Sequence, residues 1–170
     1  MTDASPRSLA GYSAKRTMGV RFKLLDLKQK EFLNRVGWFF RYEGDAMPCR
    51  AALFDPDRWG QRDEAIIAEK DAEILGIVTL ASNGLQNSGR PTLDTLYVRK
   101  SHRKTGLGYG LFEQGLRRLI ERGATYRVFC QLQSSVMVRL VVKLPDDLKG
   151  RLEAYEAFQS EDLAEFFDMP

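Results

Sequence analysis

Residues 96 to 110 constrain this chain more than any other stretch. Leu96, Tyr97 and Val98 are strand formers, Arg99, Lys100, His102, Arg103 and Lys104 make a basic loop, and Gly106, Gly108 and Gly110 open a new segment. In that segment Leu107, Leu111, Phe112, Leu116, Leu119 and Ile120 recur at helical spacing. A strand feeding a helix through so short a loop sets the strand's carboxyl end beside the helix's amino end, which points to α/β layering. Glycines let backbone N–H groups converge there, and those groups, with the positive end of the helix, favour an anion. The stretch reads as a phosphate or pyrophosphate cradle.

Two common nucleotide motifs fail at this place. A dinucleotide fingerprint needs a third glycine where Leu111 stands, and a Walker A loop needs its Lys-Thr after the glycines, whereas Lys104-Thr105 precedes them. What remains is Arg103-x-x-Gly106-x-Gly108 directly after a strand ending in Val98. This resembles the coenzyme A loop of the GNAT N-acetyltransferase superfamily, whose pattern is Arg/Gln-x-x-Gly-x-Gly/Ala. The alternative is a glycine-rich turn in some other α/β domain.

The neighbouring segments extend the resemblance over residues 64 to 144. Ala65 to Lys70 and Ile74 to Leu80, joined by a turn at Asp71-Ala72-Glu73, read as an antiparallel hairpin similar to the family's second and third strands. Leu93 to Val98 resembles its fourth strand, Gly108 to Arg122 the helix that follows, Tyr126 to Leu132 the fifth strand, and Ser134 to Leu144 the next helix. Val136 to Leu144 is rich in β-branched residues and is open to a strand reading, but Val136, Leu140, Val141 and Leu144 fit a helical face. The resemblance implies an α/β (α+β) fold with a mixed, largely antiparallel sheet flanked by helices.

The rest of the chain divides around that core. Residues 1 to 18 lack periodicity and are expected to be a flexible lead-in, and the resemblance implies that residues 19 to 145 form a GNAT-like acyl-CoA-binding core. Val20 to Leu24 alternates as a first strand, Leu27 to Tyr42 has helical spacing, and Ala46 to Asp63 is a loop broken by Pro48, Pro56 and Gly60. In GNAT proteins this region walls the acceptor site, which makes Trp38, Tyr42 and Trp59 wall candidates, with core packing as the alternative. Residues 146 to 170 are expected to be a helical extension in place of the family's last strands. Pro145-Asp146-Asp147 reads as a helix start, and Leu148, Leu152, Tyr155 and Phe158 follow at helical spacing.

Composition narrows the function classes. With 170 residues and 44% hydrophobic content the chain fits one domain with one core. Its apolar runs, such as Trp38-Phe39-Phe40, are too short to span a bilayer, and its first residues lack a secretory apolar region. Cys49 and Cys130 are isolated, so a reduced, cytoplasmic protein with no metal site is expected. The net charge of +3 is modest, and the basic loop comes without a recognition helix or stacking aromatics, which argues against nucleic acid. Beyond Arg151, the last base, stand Glu153, Glu156, Glu161, Asp162, Glu165 and Asp168. They read as a solvated helix face, or alternatively as a surface that draws a cationic acceptor.

The resemblance also implies a reaction and a set of residues. Acetyl-CoA is the expected co-substrate and a primary amine the acceptor, whether on a protein or on a small cationic molecule. Leu96, Tyr97 and Val98 are expected to meet the pantetheine arm. Arg103, Lys104, Thr105, Gly106, Leu107, Gly108 and Tyr109 are expected to meet the phosphates. The backbone N–H of Val98, where the family's fourth strand bulges and parts from the fifth, would face the developing oxyanion. Asp94 is the candidate proton acceptor for the amine, and its alternative is a strand-end residue bonded to backbone. Glu69 is a weaker candidate for that role, because it stands at the edge of a turn and is expected to be solvated. The family's usual general-acid tyrosine aligns with Val141, and its usual asparagine with Ser134. Val141 donates no proton, so Tyr109, Tyr155 or water is left for that role. An acyl-CoA-binding or interaction module without turnover is the alternative function.

Overall fold

The computed structural model describes residues 7–8, 19–42, 62–84, 89–122, 128–132 and 135–156. Their strands form one seven-stranded sheet in chain order. β1 (Arg7–Ser8), β2 (Arg21–Asp26), β3 (Glu64–Lys70), β4 (Glu73–Ala81) and β5 (Thr92–Val98) pair antiparallel, whereas β6 (Val128–Leu132) and β7 (Leu152–Glu156) continue the sheet in parallel. Helix α1 (Lys30–Tyr42) precedes β3, α2 (Leu107–Glu121) joins β5 to β6, and α3 (Ser135–Val142) with a helical turn at Asp146–Lys149 joins β6 to β7. Parallel neighbours need such crossovers, because a hairpin cannot return the chain in the same direction.

The alternation of β3 decides what lies on each face. Ala65 and Ile67 join Leu25, Ile77 and Tyr97 beneath Phe32, Val36, Phe39 and Phe40 of α1. Ile66 and Ala68 join Phe22, Val78, Leu80 and Leu93 beneath Leu107, Leu111, Phe112, Leu116 and Leu119 of α2, where Val138 of α3 also packs. The sheet is buried on both sides between helices, which is why β3 and β4 read as nearly continuous apolar runs. Burying a leucine such as Leu111 or Leu116, both 0% exposed, removes its whole side chain from water, worth about 1.5–3 kcal/mol each.

Two irregularities shape the middle strands. The register of β3 and β4 shifts so that Ala68 pairs with Gly76 and Glu69 with Ile74, leaving Leu75 as the extra residue. The register of β4 and β5 shifts so that Leu96 pairs with Val78 and Leu93 with Leu80. Asp94 and Thr95 thus oppose Thr79 alone, a bulge that lets Leu93 and Leu96 share one face. The bulge expected at Val98 therefore lies earlier on the strand, because Tyr97 and Val98 pair in register with Ile77 and Gly76.

Three further expectations need correction. Leu152–Glu156 is a strand, although Leu148, Leu152 and Tyr155 have helical spacing. The helical turn at Asp146–Lys149 closes at Gly150, and the backbone beyond it satisfies the edge of β6, pairing Leu152 with Val128 through Glu156 with Leu132. An open strand edge can override a short periodicity signal. Arg7 and Ser8, inside the expected lead-in, pair with Leu24 and Lys23. Glu69 is not solvated: it is 8% exposed and ion-paired with Lys23 and Arg35. The helix expected over Ser134 to Leu144 is seen as Ser135–Val142, and Glu161, Asp162, Glu165 and Asp168 lie outside the described residues.

Candidate active site

The end of β5 and the start of α2 make the cradle. A short 3-10 turn at Lys100–His102 follows Val98, with Thr105 Oγ1 donating to the His102 carbonyl at 2.7 Å. Lys104 and Gly106 then take left-handed backbone angles, φ 64° and 91°, and Gly106 caps α2. Gly106 does so at no steric cost, and its carbonyl accepts the first helical bond from Gly110 at 3.0 Å. The first turn of α2 carries no acidic residue and its N-cap makes no side-chain hydrogen bond, so no negative charge on this turn offsets the positive end of the helix dipole. Among the described residues a Cβ at residue 108 would have only Val98 Cγ2 within 4 Å, at 3.7 Å, an ordinary contact that leaves room there.

Beside this turn the sheet opens. Among the described residues β5 and β6 pair at Thr92 with Phe129 and Leu93 with Cys130, and the later residues of β5 have no described β6 partner. Arg99 N–H donates to the Leu75 carbonyl at 2.9 Å, toward β4. By the alternation of an antiparallel ladder, the N–H of Tyr97 turns the same way and those of Leu96 and Val98 turn to the open edge. Arg103 reaches that edge, its Nε donating to the Val98 carbonyl at 3.0 Å and its guanidinium lying 5.6 Å from the Tyr97 ring centroid. Tyr109, in the first turn of α2, donates its hydroxyl to the Lys143 carbonyl at 3.2 Å, tying the cradle to the end of α3.

Asp94 sits on the bulge, and side chains rather than backbone hold it. Arg62 Nε donates to its Oδ2 at 2.5 Å, Thr95 Oγ1 at 2.9 Å and Thr79 Oγ1 at 3.4 Å. The Arg62 side chain is 4% exposed and that of Asp94 16%. Other carboxylates are engaged elsewhere. Glu64 accepts from Arg118 through both oxygens, at 2.9 and 2.6 Å. Burial pushes the Asp63 carboxyl up, but hydrogen bonds from Ser82 and Arg122 outweigh it and hold the group below its ordinary value.

The family described as Acetyltransferase (GNAT) family has a profile that matches residues 29–140 of the 170. The chain belongs to this family. As a GNAT-type N-acetyltransferase it shares its fold with a presumed acetyl transferase from Pyrococcus furiosus, at 16% identity and TM-score 0.52, over 73% of this chain and 93% of that one. An aminoglycoside acetyltransferase from an uncultured soil metagenomic sample, seen in complex with sisomicin, aligns at 15% identity and TM-score 0.49, over 74% and 86% of the two chains. No curated protein sequence matches. No described helix is long and apolar enough to cross a membrane.

Within this GNAT chain the expected site residues gather in one region, the cradle at one end of β5 and Asp94 further back on the same strand. Val141, expected at the family's tyrosine position, packs against the core, and Ser134 lies outside the described residues. Trp38 and Tyr42 are not core residues: they are 52% and 77% exposed and stack at 5.5 Å between centroids. Trp59 and the Tyr155 side chain lie outside the described residues. That Arg62, Thr79 and Thr95 meet Asp94 is not legible in the sequence. A buried arginine at the end of an aperiodic loop has no local signature, and two strand threonines look like ordinary β-formers.

Proposed function

We propose that the chain uses acetyl-CoA and transfers its acetyl group to a primary amine by direct attack on the thioester. The observation that carries this is the convergence of three anion-favouring features: the acid-free start of α2, the left-handed Gly106, and Arg103 at the edge of β5 that β6 leaves. The residues fit the group. Arg103 and Lys104 supply positive charge, the amides of Thr105 to Tyr109 meet the phosphates, and backbone groups of Leu96 and Val98 run along the pantetheine arm with Tyr97's ring beneath Arg103.

Acetyl-CoA supplies an activated acetyl group: a C–N bond forms as the C–S bond breaks, giving the N-acetyl amine, the CoA thiol and one proton. Val98 N–H stabilises charge growing on the carbonyl oxygen, and being fixed in the strand it does so without reorganising. Asp94 receives the amine's proton. A lysine-type amine has a pKa of ~10.4 and is charged at neutral pH, so that proton must be removed before attack. Val141 offers no proton, so the departing thiolate takes one from Tyr109, Tyr155 or water.

Calorimetry and thiol release test the reading. Gly108→Val adds a branched side chain where there is room, so folding should persist. Acetyl-CoA affinity should fall at least ~10-fold, equivalent to ~1.4 kcal/mol. Unchanged affinity would defeat the assignment of this loop. Thiol release from acetyl-CoA with a polyamine, a lysine peptide, a peptide N-terminus and an aminoglycoside separates turnover from binding alone and names the acceptor class.

A further inference from the structure

The three donors on Asp94 all reach the same oxygen. Arg62 Nε, Thr95 Oγ1 and Thr79 Oγ1 contact Oδ2, and among the described residues no hydrogen bond is made to Oδ1. Thr79 also accepts the Thr95 N–H at 3.1 Å, so one hydroxyl ties the carboxylate to the backbone of the bulge that carries it. Thr79 is fully buried and the Arg62 residue is 5% exposed, so neither can swing away into water. Stability alone is a poor account of such a pair, because replacing a buried ion pair with apolar residues is often neutral or stabilising. A carboxylate held by one oxygen keeps a fixed orientation and presents the other.

We propose that Arg62 is a positioning residue, which with Thr79 and Thr95 clamps Oδ2 of Asp94 so that Oδ1 meets the acceptor amine. This rests on the reading of Asp94 as the proton acceptor. Arg62 touches neither substrate. It acts through Asp94, and its removal should slow the proton-transfer step while leaving the cradle intact.

The test measures thiol release from acetyl-CoA with spermidine, with a lysine peptide, and with water alone. The proteins are the parent, Arg62→Met, Arg62→Lys, Thr79→Val, Asp94→Asn and Arg62→Met/Asp94→Asn. Arg62→Met should lower kcat about 10- to 100-fold, the scale expected when a reacting group is misplaced by ~1 Å. Acetyl-CoA affinity by calorimetry should stay within about 2-fold of the parent. Arg62→Lys keeps the charge without the Nε donor and should be intermediate, and it serves if Arg62→Met fails to fold. In the Asp94→Asn background Arg62→Met should change kcat no further, because the two act as one unit. A merely structural arginine would lower stability and activity in both backgrounds. Parent-like kcat in both Arg62 variants, with Asp94→Asn inactive, overturns the positioning role and leaves the role of Asp94 standing. Full activity in Asp94→Asn, or no thiol release by the parent under any condition, overturns both.

Discussion

Glu69 is the next-to-last residue of β3, beside a tight turn, yet the fold surrounds it with Lys23 and Arg35. Burial pushes its carboxyl up, but the hydrogen bonds and charges of those two partners prevail and hold it below the ordinary 4.5. A carboxylate depressed by folding adds stability that is present above its unfolded value and lost as pH falls through the folded one. Glu69→Gln should therefore melt lower than the parent near neutral pH, by about 1 kcal/mol or ~2–4 °C. The difference should close as pH drops well below 4.5, and melting curves across that range check it. Gln keeps the shape and some hydrogen bonding, so an equal deficit at every pH would mean that packing, not charge, holds the site.

At the scale of elements, Gly76 is a place where β4, β5 and α2 pack closely. A Cβ there would lie 2.9 Å from Leu111 Cδ1 and 3.0 Å from the Tyr97 carbonyl oxygen. The leucine can shift, but the carbonyl belongs to the ladder that pairs β4 with the cradle strand. Gly76→Ala should cost about 1–3 kcal/mol by overpacking, read from denaturant midpoints. It should also weaken acetyl-CoA binding, since the same contact sets α2 against β5. The hairpin and α2 were legible because turn chemistry and helical spacing are local. Leu152–Glu156 was not, because its short apolar spacing fits a helix and only the edge of β6 made it a strand.

Over the whole molecule, charge is nearly balanced at +3, and many described acids are tied to bases. Glu64 pairs with Arg118, Glu73 with Arg99, Glu113 with Arg117 and Asp94 with Arg62. Positive charge concentrates at the loop of residues 99–104, where the cradle opens. A polyanionic co-substrate should feel that local field more than the net charge. Acetyl-CoA affinity should fall steadily as salt shortens the screening length from ~30 Å at 0.01 M to ~3 Å at 1 M, as ~3-fold or larger changes in calorimetry. Affinity that is flat in salt would assign binding to the backbone amides alone.

The sequence by itself determined the strand, basic loop and helix of residues 96–110, the hairpin before them and the α/β class. Each rests on information carried within a few residues: glycines where the backbone must turn left-handed, and apolar spacing of two or of three to four. Only the tertiary structure decided how Asp94 is held, that Glu69 is buried, and that the chain after Gly150 extends the sheet. Those outcomes join residues far apart in the chain, Arg62 to Asp94 across 32 positions and Lys23 to Glu69 across 46. No local propensity encodes such a meeting, because the partner supplies the energy that makes the position acceptable.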